Sequence, residues 1–206
     1  MAVYGRPTLR DTFDDAPTPH IAHPPNSHRR DFYVATDGSF VSDGGGLGVI
    51  IETWDGERLL RLAIPDDAPD NNVAEYRALH LGLDALAAHA PDRATVGVLV
   101  DHNDLAGNIN ATVIGSRGPE WREPFPVSVP SGTKYQWRGI EARLSRFGDV
   151  RAACIDSNIN PAHVLANAPE QYAHVNEQPG RCLLPEKTTA DQQIPPPSRA
   201  DRHAGD

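Results

Sequence analysis

Three acidic side chains stand in well-defined local contexts along this chain. They are Asp37 in the segment TDGS, Glu75 in NNVAEYRAL and Asp101 in VLVDHNDL. Asp37 and Asp101 each lie where a predicted strand ends, and Glu75 lies in the first turn of a predicted helix. Carboxylates held close together repel one another unless a cation neutralises them, and carboxylate oxygen is a ligand that Mg²⁺ and Mn²⁺ accept readily. The pattern therefore predicts a divalent-metal site suited to phosphodiester chemistry.

Each acid also has an ordinary structural explanation. Asp37 precedes a glycine and could be a turn residue. Glu75 stands three residues after Asn72 and could complete a capping box. Asp101 could be the N-cap of a short helix. Singly, none of the acids establishes a site, so the argument depends on the elements that position them.

The apolar pattern between residues 31 and 170 predicts these elements. Alternating segments predict strands at 32–38, 47–54 and 58–64, and Asp55-Gly56 predicts a tight turn between the last two. A helix with Asn72 as N-cap follows. The chain then shows a buried strand at 95–101, a short helix, a loop at 111–134, a helix around 137–147, a strand at 149–155 and a helix at 160–168. This order predicts an α/β fold, a mixed five-stranded sheet of three antiparallel strands followed by β–α units, with helices on both faces.

The predicted topology brings the three acids together. The strand that carries Asp37 is expected in the middle of the sheet, and the strand that ends at Asp101 is expected beside it in parallel. The helix that begins near Glu75 packs across both strands. We therefore expect the acids to meet at the switch point of the sheet, where ligands usually bind. Two metal ions roughly 3.5–4 Å apart could act there on a phosphodiester.

The three motifs, in this order and on these elements, resemble the type 1 ribonuclease H family over about residues 31–170. The resemblance implies an endonuclease that cuts the RNA strand of RNA/DNA hybrids, leaves 5′-phosphate and 3′-hydroxyl ends, and uses two Mg²⁺ or Mn²⁺ ions. It also implies that Asp37, Glu75 and Asp101 belong to a four-residue catalytic and metal-binding set. Residues that would contact the hybrid, partly through the 2′-hydroxyl groups of the RNA strand, are Gly38, Ser39, Asn71, Asn72 and Asn103.

The chain departs from the family pattern at the fourth acid. That acid normally stands at the start of the last helix, whereas this chain has NPAHVLAN with His163 in its place. With Asn160 as N-cap and Pro161 as the first helical residue, His163 would be the third. We predict that its imidazole is the fourth catalytic and metal-binding group and that its nitrogen favours Mn²⁺ over Mg²⁺. The alternative is a surface histidine without a metal role.

Two further departures leave other functions open. The loop before the last helix lacks the histidine that many family members carry there, and the basic, tryptophan-bearing protrusion of some members is missing. A second hypothesis is therefore a catalytically weak or inactive module of the same fold that binds nucleic acid or protein. A 3′–5′ exonuclease of the same fold is a third hypothesis.

Composition and charge set the remaining expectations. A net charge of −9 argues against binding through a broad basic field. The apolar runs are too short to cross a bilayer, and the first residues lack the apolar core of a signal peptide. We expect a cytoplasmic protein, a monomer with no membrane partner. Its folded domain is predicted at 31–176, between disordered tails at 1–30 and 177–206 that are rich in Pro, His and Asp or otherwise lack an apolar period.

Overall fold

A computed structural model describes residues 6–21, 29–41, 44–121 and 125–176. It contains a five-stranded sheet with the strand order β3-β2-β1-β4-β5. The strands are β1 Phe32–Ser39, β2 Gly45–Thr53, β3 Arg58–Asp66, β4 Thr95–Val100 and β5 Asp149–Cys154. Strands β1, β2 and β3 are antiparallel, whereas β4 pairs in parallel with both β1 and β5. The predicted mixed sheet is confirmed.

Helices cover both faces of the sheet, as predicted. In the described residues they are α1 Leu9–Asp15, α2 Asn71–His89, α3 Asn103–Gly115, α4 Lys134–Leu144, α5 His163–Asn167 and α6 Pro169–Tyr172. Apolar residues of α2, α3 and α4 form the core on one face, and those of α1 and α5 form the core on the other. Helix α3 continues to Gly115, so the loop predicted from residue 111 begins later. None of these helices is long and apolar enough to cross a membrane.

Strand β1 lies at the centre of the molecule. Val34 belongs to the core under α2, while Tyr33 and Ala35 belong to the core under α1, because successive side chains of a strand point to opposite faces. The strand remains buried to its carboxyl end, where Asp37 is only 2% exposed. A carboxylate at this position has lost most of its hydration.

The prediction that residues 1–30 form a disordered tail is wrong for the segment that contains α1. Thr8 and Asp11 form a reciprocal capping box at the start of this helix, with hydrogen bonds of 3.1 and 3.2 Å. Leu9 and Phe13 are fully buried against the sheet, and the Phe13 ring packs edge-on against Tyr33 with ring centroids 5.5 Å apart. One pair of apolar residues four positions apart is too short a pattern for periodicity to detect. Residues 177–206 lie outside the described residues, so the C-terminal tail stays a prediction.

The segment that follows α1 covers the outer edge of β5. The backbone amide of Cys154 donates to the carbonyl oxygen of Pro17 at 2.9 Å. The buried Asn110 side chain donates to the carbonyl oxygens of Pro19 and Ala152, at 2.7 and 2.8 Å. An exposed strand edge invites pairing with other chains, and these bonds occupy edge groups of Ala152 and Cys154.

Candidate active site

Asp37 and Asp101 lie next to each other at the carboxyl ends of two adjacent parallel strands. The register pairs Ala35 of β1 with Leu99 of β4. Asp37 stands two residues further along β1, and Asp101 stands two residues further along the chain, directly after the end of β4. Asp37 is paired with Gly48 of β2 inside the sheet, so it is a strand residue. The explanation of Asp37 as a turn residue is therefore wrong.

Glu75 does not serve to cap α2. The N-cap is Asp70, whose side chain accepts a hydrogen bond from the amide of Val73 at 2.9 Å, so the predicted cap at Asn72 is wrong. The Glu75 carboxylate instead accepts a hydrogen bond from the amide of Gly38 at 3.2 Å, and the residue is 3% exposed. This contact turns the carboxylate towards the end of β1.

Asp101 is also free of a capping role. The N-cap of α3 is His102, whose Nδ1 accepts a hydrogen bond from the amide of Leu105 at 3.2 Å. Since Nδ1 accepts, the ring hydrogen of the neutral tautomer lies on Nε2, which is 3.0 Å from Oδ1 of Asn72 and donates to it. The adjacent histidine thus caps the helix and leaves the Asp101 carboxylate available to the site.

His163 belongs to α5, which packs on the face of the sheet opposite α2, and it approaches Asp37 from that face. Its Nδ1 lies 3.4 Å from each carboxylate oxygen of Asp37. His163 is the first residue of α5, and the predicted helix start at Asn160 is wrong. The Asn160 side chain is buried, accepts from the amide of Ala162 at 3.0 Å and donates to the carbonyl oxygen of Thr36 at 3.0 Å. It therefore ties the turn before α5 to β1 instead of beginning a helix.

These groups form a compact set of possible metal ligands. Asp37, Asp101 and His163 each offer one ligand atom, and the three atoms lie within 4.8 Å of one another. Glu75 stands outside this group, and burial together with the charges of Asp101 and Asp37 raises the pKa of its carboxylate. Oxygen and nitrogen ligands at this spacing suit a divalent cation of the first transition row or Mg²⁺.

The electrostatics of the site also favour a cation. Burial, followed by the neighbouring Asp101 carboxylate, raises the pKa of Asp37 to about 8. Burial and the charges of Asp101 and Asp37 raise the pKa of Glu75 to about 9, although the Gly38 amide acts in the opposite direction. Burial, reinforced by the repulsion between neighbouring carboxylates, thus favours the protonated form of both groups. A divalent cation would replace those protons, so the residues present fit a metal.

The resemblance assigns five residues to contact with an RNA/DNA hybrid. They lie near the ends of β1 and β4, in two groups. Gly38 and Ser39 are buried, with the Gly38 amide bonded to Glu75 and the Ser39 hydroxyl bonded to Asn167. The other three are exposed around the site, and they are Asn71, Asn72 and Asn103.

Sequence reasoning missed one residue of the site. Asn167 follows His163 by four positions, and its Nδ2 lies 2.7 Å from Nε2 of His163. Residues four apart share one face of a helix, so this spacing was the only available signal.

Comparisons with known proteins come from structure alone, because no protein-family model and no curated protein matches the sequence. The N-terminal RNase H domain of a Mycobacterium tuberculosis protein is 22% identical, with 66% of this chain and 95% of that chain covered and a TM-score of 0.52. RNase H1 from the halophilic archaeon Halobacterium salinarum is 19% identical, with 68% and 98% covered and a TM-score of 0.51. LC11-RNase H1 was isolated from compost. Its structure in complex with an RNA/DNA hybrid is 23% identical, with 69% of this chain and 99% of that chain covered and a TM-score of 0.53. This chain has the ribonuclease H-like fold.

Proposed function

We propose that this protein is an endonuclease that hydrolyses the RNA strand of RNA/DNA hybrids by a two-metal mechanism. The observation that carries the proposal is the convergence of ligand atoms from Asp37, Asp101 and His163 within 4.8 Å, where the parallel strands β1 and β4 end. The Glu75 carboxylate lies beside them, hydrogen-bonded to the Gly38 amide. The complex of LC11-RNase H1, a protein of the same fold, with an RNA/DNA hybrid supports the choice of substrate. The same chemistry leaves 5′-phosphate and 3′-hydroxyl ends.

Each member of the site has a distinct task in this proposal. Asp37 lies beside both Asp101 and His163 and would be shared between the two metal positions. Glu75 and Asp101 would hold one position, and His163 would serve the other. Bound Mg²⁺ or Mn²⁺ ions supply an activated water and charge neutralisation at the leaving oxygen. The Gly38 amide would keep the Glu75 carboxylate oriented towards the metal position.

Hybrid recognition would involve the exposed amide side chains around the site. Asn71, Asn72 and Asn103 carry both donors and acceptors, which suits contact with 2′-hydroxyl groups. Asn72 is held by its hydrogen bond to His102. Because the acids would repel phosphate, hybrid binding at the site should depend on the metal.

The test is a hybrid in which the RNA strand is a closed circle annealed to complementary DNA. An endonuclease linearises the circle in the presence of Mg²⁺ or Mn²⁺, whereas a 3′–5′ exonuclease has no end to attack. The Asp101→Asn variant should lose cleavage, and the matched Asp104→Asn variant, which changes an exposed acid three residues away, should keep it. An intact circle after incubation of the folded parent protein in either metal would overturn the proposal.

A second candidate is a module of this fold that binds nucleic acid or protein without cleavage. The contact between His163 and Asp37 favours it, because an imidazole N–H can hydrogen-bond to that carboxylate without a metal. Calorimetric titration with Mn²⁺ separates the two functions. The module should take up no divalent ion at the acids, and its hybrid affinity should be unchanged in Asp37→Asn.

A further inference from the structure

A chain of hydrogen bonds connects His163 to the end of β1 by a second route. Oγ of Ser39 donates to Oδ1 of Asn167 at 2.5 Å, and Nδ2 of Asn167 lies 2.7 Å from Nε2 of His163. The other ring nitrogen of His163 faces Asp37 at 3.4 Å. Ser39 follows Asp37 by two residues, so both nitrogens of one imidazole are connected to the same strand.

The position of α5 on the sheet fixes the backbone from which His163 and Asn167 project. A Cβ on Gly48 would lie 2.2 Å from the carbonyl oxygen of Ala162, and a Cβ on Gly46 would lie 2.7 Å from that of Ala166. The backbone of α5 therefore sits directly on β2, at a distance that only glycine permits. Helix α5 has no side-chain cap, and these contacts hold it at a fixed height above the sheet.

The hydrogen-bond chain has two complete arrangements. In the first, Asn167 donates to Nε2 of His163, so the neutral ring carries its hydrogen on Nδ1 and donates it to Asp37. In the second, the amide of Asn167 is turned over. Its oxygen accepts from Nε2–H, its nitrogen donates to the Ser39 hydroxyl, and the Nδ1 lone pair faces Asp37. Ser39 satisfies both arrangements because a hydroxyl group can donate or accept.

We propose that Asn167, supported by Ser39, is a positioning residue that switches His163 between a hydrogen-bonding form and a metal-ligating form. Without metal, Nδ1–H of His163 bonds to Asp37. With a divalent cation, Nδ1 gives up its proton to water, Nε2 takes up a proton from water, which reaches the half-exposed ring, and the amide turns over to accept from Nε2–H. The Nδ1 lone pair is then offered as a ligand beside Asp37 and Asp101. This inference rests on the proposed function in one respect, the presence of a cation site at Asp37, Asp101 and His163. Partners that orient a metal-ligating histidine commonly change metal affinity 10- to 100-fold when they are removed.

The first test reads the tautomer directly. Full-length protein with ¹⁵N-labelled histidine is studied by long-range ¹H–¹⁵N correlation without metal, with His163→Gln used to identify the signal. The parent should carry its hydrogen on Nδ1 and should change to Nε2–H on saturation with Zn²⁺, a diamagnetic cation that accepts imidazole nitrogen as a ligand. In Asn167→Asp the carboxylate can only accept, so the ring should be Nε2–H in the absence of metal. A metal-free parent already in the Nε2–H form, or an Asn167→Asp protein still in the Nδ1–H form, would overturn the proposal.

The second test measures Mn²⁺ affinity by calorimetry. Asn167→Ala and Ser39→Ala should each weaken binding, by about tenfold for the former. Gln171→Ala, which alters an exposed polar side chain on α6, is the matched control and should bind as the parent does. Unchanged affinity in Asn167→Ala would contradict the proposal. Neither test uses cleavage, so a parent that changes tautomer but cuts no hybrid refutes the proposed function alone.

Discussion

The backbone amide of Gly38 and the carboxylate of Glu75 are joined by a hydrogen bond of 3.2 Å, where β1 and the first turn of α2 are in direct contact. A Cβ on Gly38 would lie 2.1 Å from the carbonyl carbon of Ala74 and 2.3 Å from the backbone nitrogen of Glu75. The approach that brings Glu75 to the other acids therefore requires glycine at this position. Gly38 therefore has a structural role in the site that does not depend on contact with substrate.

Gly38→Ala should separate β1 from α2 and displace the Glu75 carboxylate. We expect a loss of about 1–3 kcal/mol in the free energy of unfolding, as for other overpacked cores, together with weaker Mn²⁺ binding. Urea denaturation and calorimetry measure the two effects. Gly132→Ala is the matched control, because a Cβ there meets only Val73 at an ordinary 3.6 Å. Equal stability of the two variants would show that the contact at Gly38 is relaxed in solution.

Asp37→Asn should stabilise the metal-free protein at alkaline pH. The folded pKa of Asp37, about 8, lies above its ordinary value of 3.8, so the folded state binds the proton more tightly than the unfolded state. The free energy of unfolding should therefore fall as the pH rises from about 4 through 8, and Glu75, with a pKa of about 9, should add to the fall. The asparagine variant should show a shallower fall.

Urea denaturation in a chelator across this pH range tests that prediction. Asp104→Asn, an exposed acid near the site, is the control and should keep the slope of the parent. A stability that stays level from pH 4 to 9 in the parent would mean that the acids are not crowded in the metal-free protein.

Phe13→Ala should destabilise the whole domain, because α1 is docked on the sheet through this ring and Leu9. Removal of a fully buried phenylalanine costs about 3–5 kcal/mol, and thermal or urea unfolding would show it as one cooperative shift. Asp15→Ala, at an exposed position of the same helix, should have little effect. If Phe13→Ala and the parent melt identically, α1 does not pack on the sheet in solution, and the segment belongs to the disordered tail that the sequence pattern predicted.

The strands of the sheet and the positions of the acids on them could be predicted from sequence for a physical reason. Strands and long amphipathic helices impose periods of 2 and 3.6 on apolar residues, and those periods are visible without coordinates. They predicted the order of elements along the chain, and the rules of sheet topology then placed the Asp37 strand in the middle of the sheet with the Asp101 strand parallel beside it, which the register confirms.

Helix caps and side-chain hydrogen-bond networks could not be predicted in the same way. Several polar residues near each helix start can cap it, and tertiary partners decide which one does. Asn72 was predicted to cap α2, but it is bonded to His102 and Asp70 caps instead. Asn160 was predicted to cap the last helix, but it is bonded to the backbone of Thr36. These choices depend on contacts between residues distant in sequence.

His163 should give the protein a preference for Mn²⁺. A neutral nitrogen is a poorer ligand for Mg²⁺ than for Mn²⁺, and it brings one negative charge fewer than the acid it replaces. His163→Asp should therefore improve hybrid cleavage in Mg²⁺, and His163→Ala should lower the rate at limiting Mn²⁺. Rates over a titration of each metal provide the measurement. A His163→Ala protein that matches the parent in both metals would show that the imidazole is not a ligand.

The most direct test of the whole account is the rate of RNA-strand cleavage in a labelled RNA/DNA hybrid. The intact parent protein should cut the RNA strand in Mn²⁺ or Mg²⁺, leave the DNA strand and a DNA/DNA duplex intact, and stop when a chelator is added. Asp37→Asn, which keeps the fold, should cut none. A folded parent that leaves the hybrid uncut in both metals, or an Asp37→Asn protein that cuts it at the same rate, would contradict the account.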